Sequence, residues 1–131
     1  MADETYPDDL RYHSEHDWVR SLGGGEALFG ITWYAQDALG EIVYYEPPAV
    51  GASLTKDASY GELESVKAVS DVIAPAGGEV LEVNARVSDT PELVNEDPYG
   101  DGWLVRVRLS DPGEVDALMD ADAYRSYLAG L

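Results

Sequence analysis

The stretch GELESVKAVSD, residues 61–71, decides the fold, because two runs of alternating character flank a single lysine. The chain has 26 acidic residues and only two lysines, so a lysine inside an acidic stretch is conspicuous. If the chain reverses at Val66, Lys67 and Ala68, ELESV and AVSDVIAP become the two strands of a β-hairpin. The pattern therefore predicts that Lys67 lies at the tip of a hairpin.

Three roles are open to Lys67 on the basis of its neighbours. An exposed lysine could form a surface salt bridge with Glu62, Glu64 or Asp71, worth about 0–1 kcal/mol. A catalytic amine would need a pKa well below about 10.4, and the three acidic neighbours act in the opposite direction. A lysine held on a stiff β-turn is also a suitable substrate for a modifying enzyme, and the acidic setting leaves this role open beside the surface salt bridge.

Composition limits the remaining possibilities. The 131 residues suit one domain, and a hydrophobic fraction of 45% is enough for a core. The chain has no cysteine, which excludes disulfides and thiolate metal sites. A net charge of −18 repels nucleic acids and anionic membranes, and it favours partners with basic surfaces; it is equally compatible with solubility or a salty cytoplasm. With no apolar run of about 18 residues and no apolar leader, a cytoplasmic location or an already processed form is expected.

The rest of the chain reads mainly as short strands, typical of a barrel or sandwich. A hairpin is expected around the glycine triplet at 23–25, and GWLVRVRL alternates so that Val105 and Val107 share one face. PELVNEDPYGDG reads as a turn-rich loop. A short internal helix is predicted from Thr32 to Leu39, with Gly40 just beyond its end.

The C-terminal segment is predicted to be helical. Asp111, Pro112 and Glu114 are arranged as a capping box at the start of a first helix. Asp120 is positioned to cap a second helix that runs to residue 128. The first nine residues are expected to be loose.

Several motifs together resemble the glycine cleavage system H proteins. They are EHDWVR, FGITWYAQDALGEIVYYEPPAVG, GELESVKAVSDVIAPAGGEVLEVN and PELVNEDPYGDGWLVRV, in the family's order and spacing across residues 12–128. The resemblance implies a mainly β, flattened lipoyl/biotinyl-type barrel-sandwich hybrid with a short internal helix and C-terminal helices. It also implies a single lipoyl-carrier domain at residues 10–131, with lipoate in amide linkage on Lys67.

The same resemblance implies a carrier that is not an enzyme by itself, with no catalytic residue and no metal. It would take an aminomethyl group from a pyridoxal-phosphate glycine decarboxylase (P protein) to a tetrahydrofolate-dependent aminomethyltransferase (T protein). A dihydrolipoyl dehydrogenase (L protein) would reoxidise its dithiol, and a lipoate ligase or lipoyl transferase would attach the arm. A monomer is expected, without nucleic acid or membrane partners.

A carboxylate beside the arm could hold the loaded amine through a charge-assisted hydrogen bond. Asp17 stands where the family usually has Glu, and Trp33 stands where the family commonly has an acidic residue. The candidates for docking the arm, by resemblance and by nearness to the lysine, are Ser14, His16, Asp17, Tyr34, Glu64 and Asp71.

Other readings stay open at this point. His13 and His16 could suggest a metal, but no third ligand is evident, so structural histidines are the simpler interpretation. A lipoyl domain of a 2-oxoacid dehydrogenase would have Asp before the lysine and a Pro/Ala-rich linker, and a biotin carrier would flank the lysine with methionines. A module that keeps the fold without lipoylation remains possible. A hydrolase is disfavoured because no nucleophile motif is present.

Overall fold

The computed structural model describes residues 3–131, in which nine strands form two antiparallel sheets. The larger sheet has the order β1-β2-β3-β9-β8-β5 and the smaller one the order β4-β6-β7. The strands are β1 Arg11–Tyr12, β2 Asp17–Gly23, β3 Glu26–Ile31, β4 Ile42–Glu46, β5 Ser53–Leu54, β6 Ser59–Ser65, β7 Val69–Ile73, β8 Gly78–Val83 and β9 Val105–Leu109.

Five helices occur in the same range, and all of them are short. They are α1 Trp33–Leu39, α2 Ala85–Asp89, α3 Leu93–Glu96, α4 Gly113–Asp116 and α5 Ala121–Ala129. None of the helices within residues 3–131 is long and apolar enough to cross a membrane.

The main core lies between the two sheets, because each sheet turns one face of alternating apolar side chains toward the other. Val105 and Val107 of β9 are fully buried, as the alternation of that strand predicts. They pack in one cluster with Phe29 of the larger sheet and with Leu63 and Val72 of the smaller one. Burial of each such side chain contributes about 1.5–3 kcal/mol, so this cluster fixes the position of the β6–β7 hairpin.

A second, aromatic cluster joins the two ends of the chain and contains Tyr6, Leu10, Tyr12, Trp18 and Tyr124. The rings of Tyr12 and Tyr124 are stacked with centroids 4.7 Å apart. Tyr6 is 7% exposed, so the described part of the segment expected to be loose, residues 3–9, is attached to the domain at its middle. The acidic composition of this segment hid Tyr6 as its anchor; Met1 and Ala2 lie outside the described residues.

Helix α1 begins and ends where the sequence predicts. The Thr32 side chain accepts a hydrogen bond from the Ala35 amide, and Gly40 ends the helix with φ 85°. Helices α2 and α3, in contrast, occupy stretches that read as strand or turn-rich loop. Each has five residues or fewer, too short for a helical period to be visible in the sequence.

The predicted capping box before α4 is wrong, because Pro112 and not Asp111 is the N-cap residue and neither contact of the box is made. Asp111 accepts a hydrogen bond from the Gly113 amide, but Glu114 accepts one from the Gly77 amide on the neighbouring β8 side of the molecule. The side chain thus satisfies a distant donor instead of its own helix. Asp120 caps α5 by accepting from the Ala123 amide, as predicted.

Candidate functional site

The lysine turn between β6 and β7 is held by the side chain of Ser65. The Ser65 Oγ accepts hydrogen bonds from the amides of Lys67 (3.2 Å) and Ala68 (3.1 Å), and the Ser65 amide donates to the Ala68 carbonyl at 2.8 Å. The Val66 amide donates to the carbonyl of Glu41, which precedes β4. The turn is therefore ordered before any partner arrives, and Ser65 is a positioning residue that the sequence reading missed.

Lys67 is exposed at this tip, and within residues 3–131 it makes no salt bridge. The surface salt bridge with Glu62, Glu64 or Asp71, one of the three roles considered for Lys67, is thus not formed among the described residues. Its stem crosses the end of α1, where a Cβ added to Gly40 would lie 3.3 Å from the Lys67 Cε. A residue without a side chain, at a positive φ, lets the lysine run close against the backbone.

A groove of about 240 Å³ runs beside the free edge of β7, between that strand and α1. It is lined by His16, Tyr34 and Asp71, three of the predicted docking residues. Glu15 also lines it and was not among the candidates. Because α1 reaches from Tyr34 to the lysine stem, the groove leads from the base of Lys67 to a pair of carboxylates.

The His16 side chain is fixed by a chain of hydrogen bonds. Its Nδ1 lies 2.8 Å from the Tyr124 hydroxyl, which lies 2.8 Å from the Thr32 hydroxyl. The bonds are all satisfied if Thr32 donates to Tyr124 and Tyr124 donates to an unprotonated Nδ1. Burial lowers the pKa of His16, which favours this neutral form. The imidazole packs against the Tyr34 ring, with centroids 4.5 Å apart.

Asp17 does not line the groove and is 1% exposed. The backbone of Ile73, a groove residue, partly offsets the pKa rise of the Asp17 carboxyl, which therefore lies behind the groove wall. Burial, and secondarily the charge of Glu15, raise the pKa of Asp17 well above its ordinary value. Its Oδ2 and the Tyr60 hydroxyl are both buried without a hydrogen-bond partner in the described part of the chain.

The other two docking candidates lie elsewhere. Ser14 is exposed and lines a separate cavity of about 370 Å³ together with His13 and Asp57. Glu64 lies on β6, between Tyr44 of β4 and Val69 of β7 in the sheet register, outside the groove lining. The structure therefore brings together three of the six candidates.

The Ser14 cavity resembles a hydrolytic triad in composition but differs in geometry. The His13 Nε2 lies 2.6 Å from Asp57, while the His13 Nδ1 accepts the Glu15 amide. With both ring nitrogens engaged, His13 has no free nitrogen to activate Ser14. In the range 3–131 no cluster of three or more His, Asp or Glu side chains could hold a metal ion.

Comparison with known proteins agrees with this geometry. A family model described as glycine cleavage H-protein matches residues 10–130. The glycine cleavage system H protein of Symbiobacterium thermophilum is 49% identical over 121 residues, covering 92% of this chain and 94% of that protein. The probable glycine cleavage system H protein of Haloarcula marismortui is 52% identical over 122 residues, covering 93% and 95%. A crystal structure of a glycine cleavage system H protein from Mycobacterium marinum superposes with a TM-score of 0.85 at 39% identity, covering 95% of this chain and 99% of that one, which confirms the predicted fold class.

Proposed function

The chain belongs to the glycine cleavage H-protein family, and we propose that Lys67 carries lipoate in amide linkage, which makes the chain the lipoyl carrier of the glycine cleavage system. The observation that supports this most directly is the free, exposed Lys67 amine on a preformed turn. The other lysine, Lys56, is half-buried beside His13 and is a poorer substrate for acylation.

The residues around Lys67 fit such an arm. A lipoyl amide supplies disulfide–dithiol exchange and a sulfur that can carry a one-carbon amine. Gly40 lets the lysine stem lie flat against the end of α1. From Gly40 to Tyr34, α1 spans about 9 Å at 1.5 Å per residue, which directs the stem along the groove.

At the far end of the groove, the carboxylates of Glu15 and Asp71 can accept hydrogen bonds from a bound ammonium group. The neutral His16 adds no competing positive charge, and its contact with Tyr34 gives this end of the groove a flat aromatic wall. Asp17, behind the wall and with a raised pKa, acts on the groove through the Ile73 backbone and not by direct contact.

The partners follow from the family. The carrier would meet the P protein decarboxylase, the T protein aminomethyltransferase and the L protein dehydrogenase in turn, as a monomer in the cytoplasm, and it would need no catalytic residue. Residues 10–131 would form the carrier domain. A net charge of −18 would speed encounter with basic surfaces on these enzymes.

The test combines mass spectrometry with partner assays. Protein made in lipoate-replete cells should carry one lipoyl group on Lys67, and the loaded protein should support glycine–bicarbonate exchange by the decarboxylase. Lys67→Arg should lose both, whereas Lys56→Arg should keep both. An unmodified Lys67 after exposure to ligase, ATP and lipoate would refute the proposal and would leave a binding module that kept only the fold.

A further inference from the structure

Exposed apolar side chains concentrate around Lys67. Of the eight large apolar side chains that are exposed among residues 3–131, four lie on the small sheet or on the lysine turn. They are Val43, Tyr44, Val66 and Val69, with exposed fractions from 48% to 68%. Single exposed apolar residues are ordinary, but a cluster of them on one surface of a globular protein marks an interaction site.

The cluster is produced by the backbone of β4. The register between β4 and β6 shifts between Ile42 and Tyr44, so the strand contains an irregularity of the bulge type. As a result two successive residues, Val43 and Tyr44, are both exposed, whereas a regular strand would turn one of them inward. Tyr44, Glu64 and Val69 then form one row across the three strands.

The neighbouring row, further from the lysine turn, is acidic. Glu46, Glu62 and Asp71 are paired across the same three strands and lie two residues further from the lysine turn. None of the three makes a salt bridge in the described part of the chain. We call the two rows together with Val43 and Val66 the outer face of the small sheet; it has an apolar half beside Lys67 and an anionic half beyond it.

We propose that the outer face is the docking surface for the enzyme that acylates Lys67, and that this enzyme presents an apolar patch rimmed by Lys or Arg. The inference rests on the proposed lipoyl attachment. Charge complementarity decides the kind of partner: an uncompensated row of carboxylates repels a second copy of a chain whose net charge is −18.

The position of the face decides which enzyme of the system it serves. An enzyme that meets the bare lysine has no arm to bind and must recognise protein surface next to the Nζ. The three-residue turn alone is far smaller than the roughly 800 Å² per partner of a standard interface. The groove lies at the β7 edge and leads the loaded arm away from the turn; it shares only Asp71 with the outer face, whose other residues adjoin the lysine outside the groove lining.

The chemistry that this docking serves is an ordinary acyl transfer. The Nζ lone pair attacks the carbonyl carbon of a lipoyl adenylate made from lipoate and ATP. The new C–N bond replaces the bond to AMP, and the amine releases a proton. The docked outer face contributes position only, so its residues should affect KM more than the rate at saturation.

The experiment compares matched pairs of exposed residues in a lipoate–protein ligase assay with ATP and lipoate. Val43→Ser and Val69→Ser, singly and together, are compared with Leu22→Ser in the β2–β3 hairpin and Val50→Ser in the loop after β4, which have similar exposure. We expect the double outer-face variant to lose about tenfold in kcat/KM, mainly through KM, since two interface contacts of this type contribute about 1.4 kcal/mol together. The control pair should stay within twofold of the wild type.

A second set of variants tests the carboxylates of the outer face. Glu46→Gln with Glu62→Gln should weaken the dependence of kcat/KM on salt, whereas Asp89→Asn with Asp116→Asn, two exposed acids elsewhere, should not. Equal acylation of outer-face and control variants would overturn the inference, as would a loss confined to the decarboxylase exchange assay. Normal acylation of wild-type Lys67 in those cases would leave the proposed function intact, whereas failure of the wild type itself would refute the proposed function.

Discussion

Two short segments lie next to the groove, the lysine turn outside its lining and the loop within it, and they are held in different ways. The lysine turn at residues 65–68 is stabilised by its own Ser65 and by strands next to it in the chain. The loop at residues 13–17 depends on Asp57, 44 residues away, and on Tyr124, 108 residues away. The turn presents a reactive group and the loop forms a receiving surface, and the loop's partners lie further along the chain than Glu41, the backbone partner of the turn.

This difference predicts how each segment responds to mutation. Loss of Tyr124 contacts should disturb the loop and lower the global stability, because Tyr124 also belongs to the aromatic cluster. Loss of a local partner should loosen the turn and leave the core unchanged. The four substitutions below test the contrast, in order of decreasing expected effect.

Replacement of Tyr124 by Phe should have the largest effect. It removes the hydroxyl that links His16 to Thr32 and leaves the buried Thr32 hydroxyl and the part-buried His16 ring without that partner. The expected loss is about 1–3 kcal/mol in the free energy of unfolding, measured by urea denaturation. Tyr127→Phe is the matched control, because Tyr127 is exposed on the same helix and should change stability by less than about 0.5 kcal/mol. Equal losses in the two variants would contradict the role of the hydroxyl chain.

Asp17→Asn tests the buried carboxyl of the loop through the pH dependence of the free energy of unfolding. Burial raises the pKa of Asp17 in the folded state, so between about pH 3.9 and that raised value the folded protein binds more protons than the unfolded one. Its contribution to stability is complete below pH 3.9 and is lost as pH rises through the folded-state pKa. The Asn variant has no such group, so its stability relative to wild type should increase with pH. Asp116→Asn should show no such trend in parallel unfolding measurements.

The sequence predicted the turn side of this comparison much better than the loop side. The position of Lys67, the strands around it and the caps of α1 at Thr32 and Gly40 follow from local rules that act within a few residues. The burial of Asp17 and the placement of Ser14 outside the groove do not, because both depend on contacts made between distant segments.

Particular residues show the same limit elsewhere. Glu15 escaped notice because its role depends on which side of the loop faces Asp71, and the positive φ of His16, 73°, sets that direction. Tyr6 was hidden in an acidic segment, although its burial depends on Tyr124 at the other end of the chain. Glu114 is spaced to accept a hydrogen bond within its own helix start, but its side chain accepts one from the Gly77 amide instead.

Gly40→Ala tests the contact between the end of α1 and the stem of Lys67. The φ of Gly40 is 85°, and a Cβ there meets the Lys67 Cε at 3.3 Å. Backbone strain should cost about 1 kcal/mol in unfolding free energy. Gly24→Ala is the matched control, since Gly24 also has a positive φ, 63°, but has nothing within 4 Å of an added Cβ. Both variants should lose similar stability, and only Gly40→Ala should change the rate of Lys67 acylation; a changed rate in both would contradict the contact.

Ser65→Ala should have the smallest effect on stability and the most local one. The turn is exposed, so the free energy of unfolding should change by less than about 0.5 kcal/mol. The amides of Lys67 and Ala68 lose their acceptor, however, and their hydrogen exchange should accelerate about fivefold for a bond worth about 1 kcal/mol. The amides of residues 13–17 should exchange as in the wild type.

Ser65→Thr keeps the hydroxyl and should restore slow exchange at Lys67 and Ala68. If the lysine turn instead stayed protected in the Ala variant, the strands alone would suffice to order it, and Ser65 would not position the lysine. If protection were lost at residues 13–17 as well, the lysine turn and the groove loop would form one cooperative unit. In that case the acylating enzyme would meet a surface that changes whenever the receiving side of the groove is filled, and acylation and arm docking could not be altered independently.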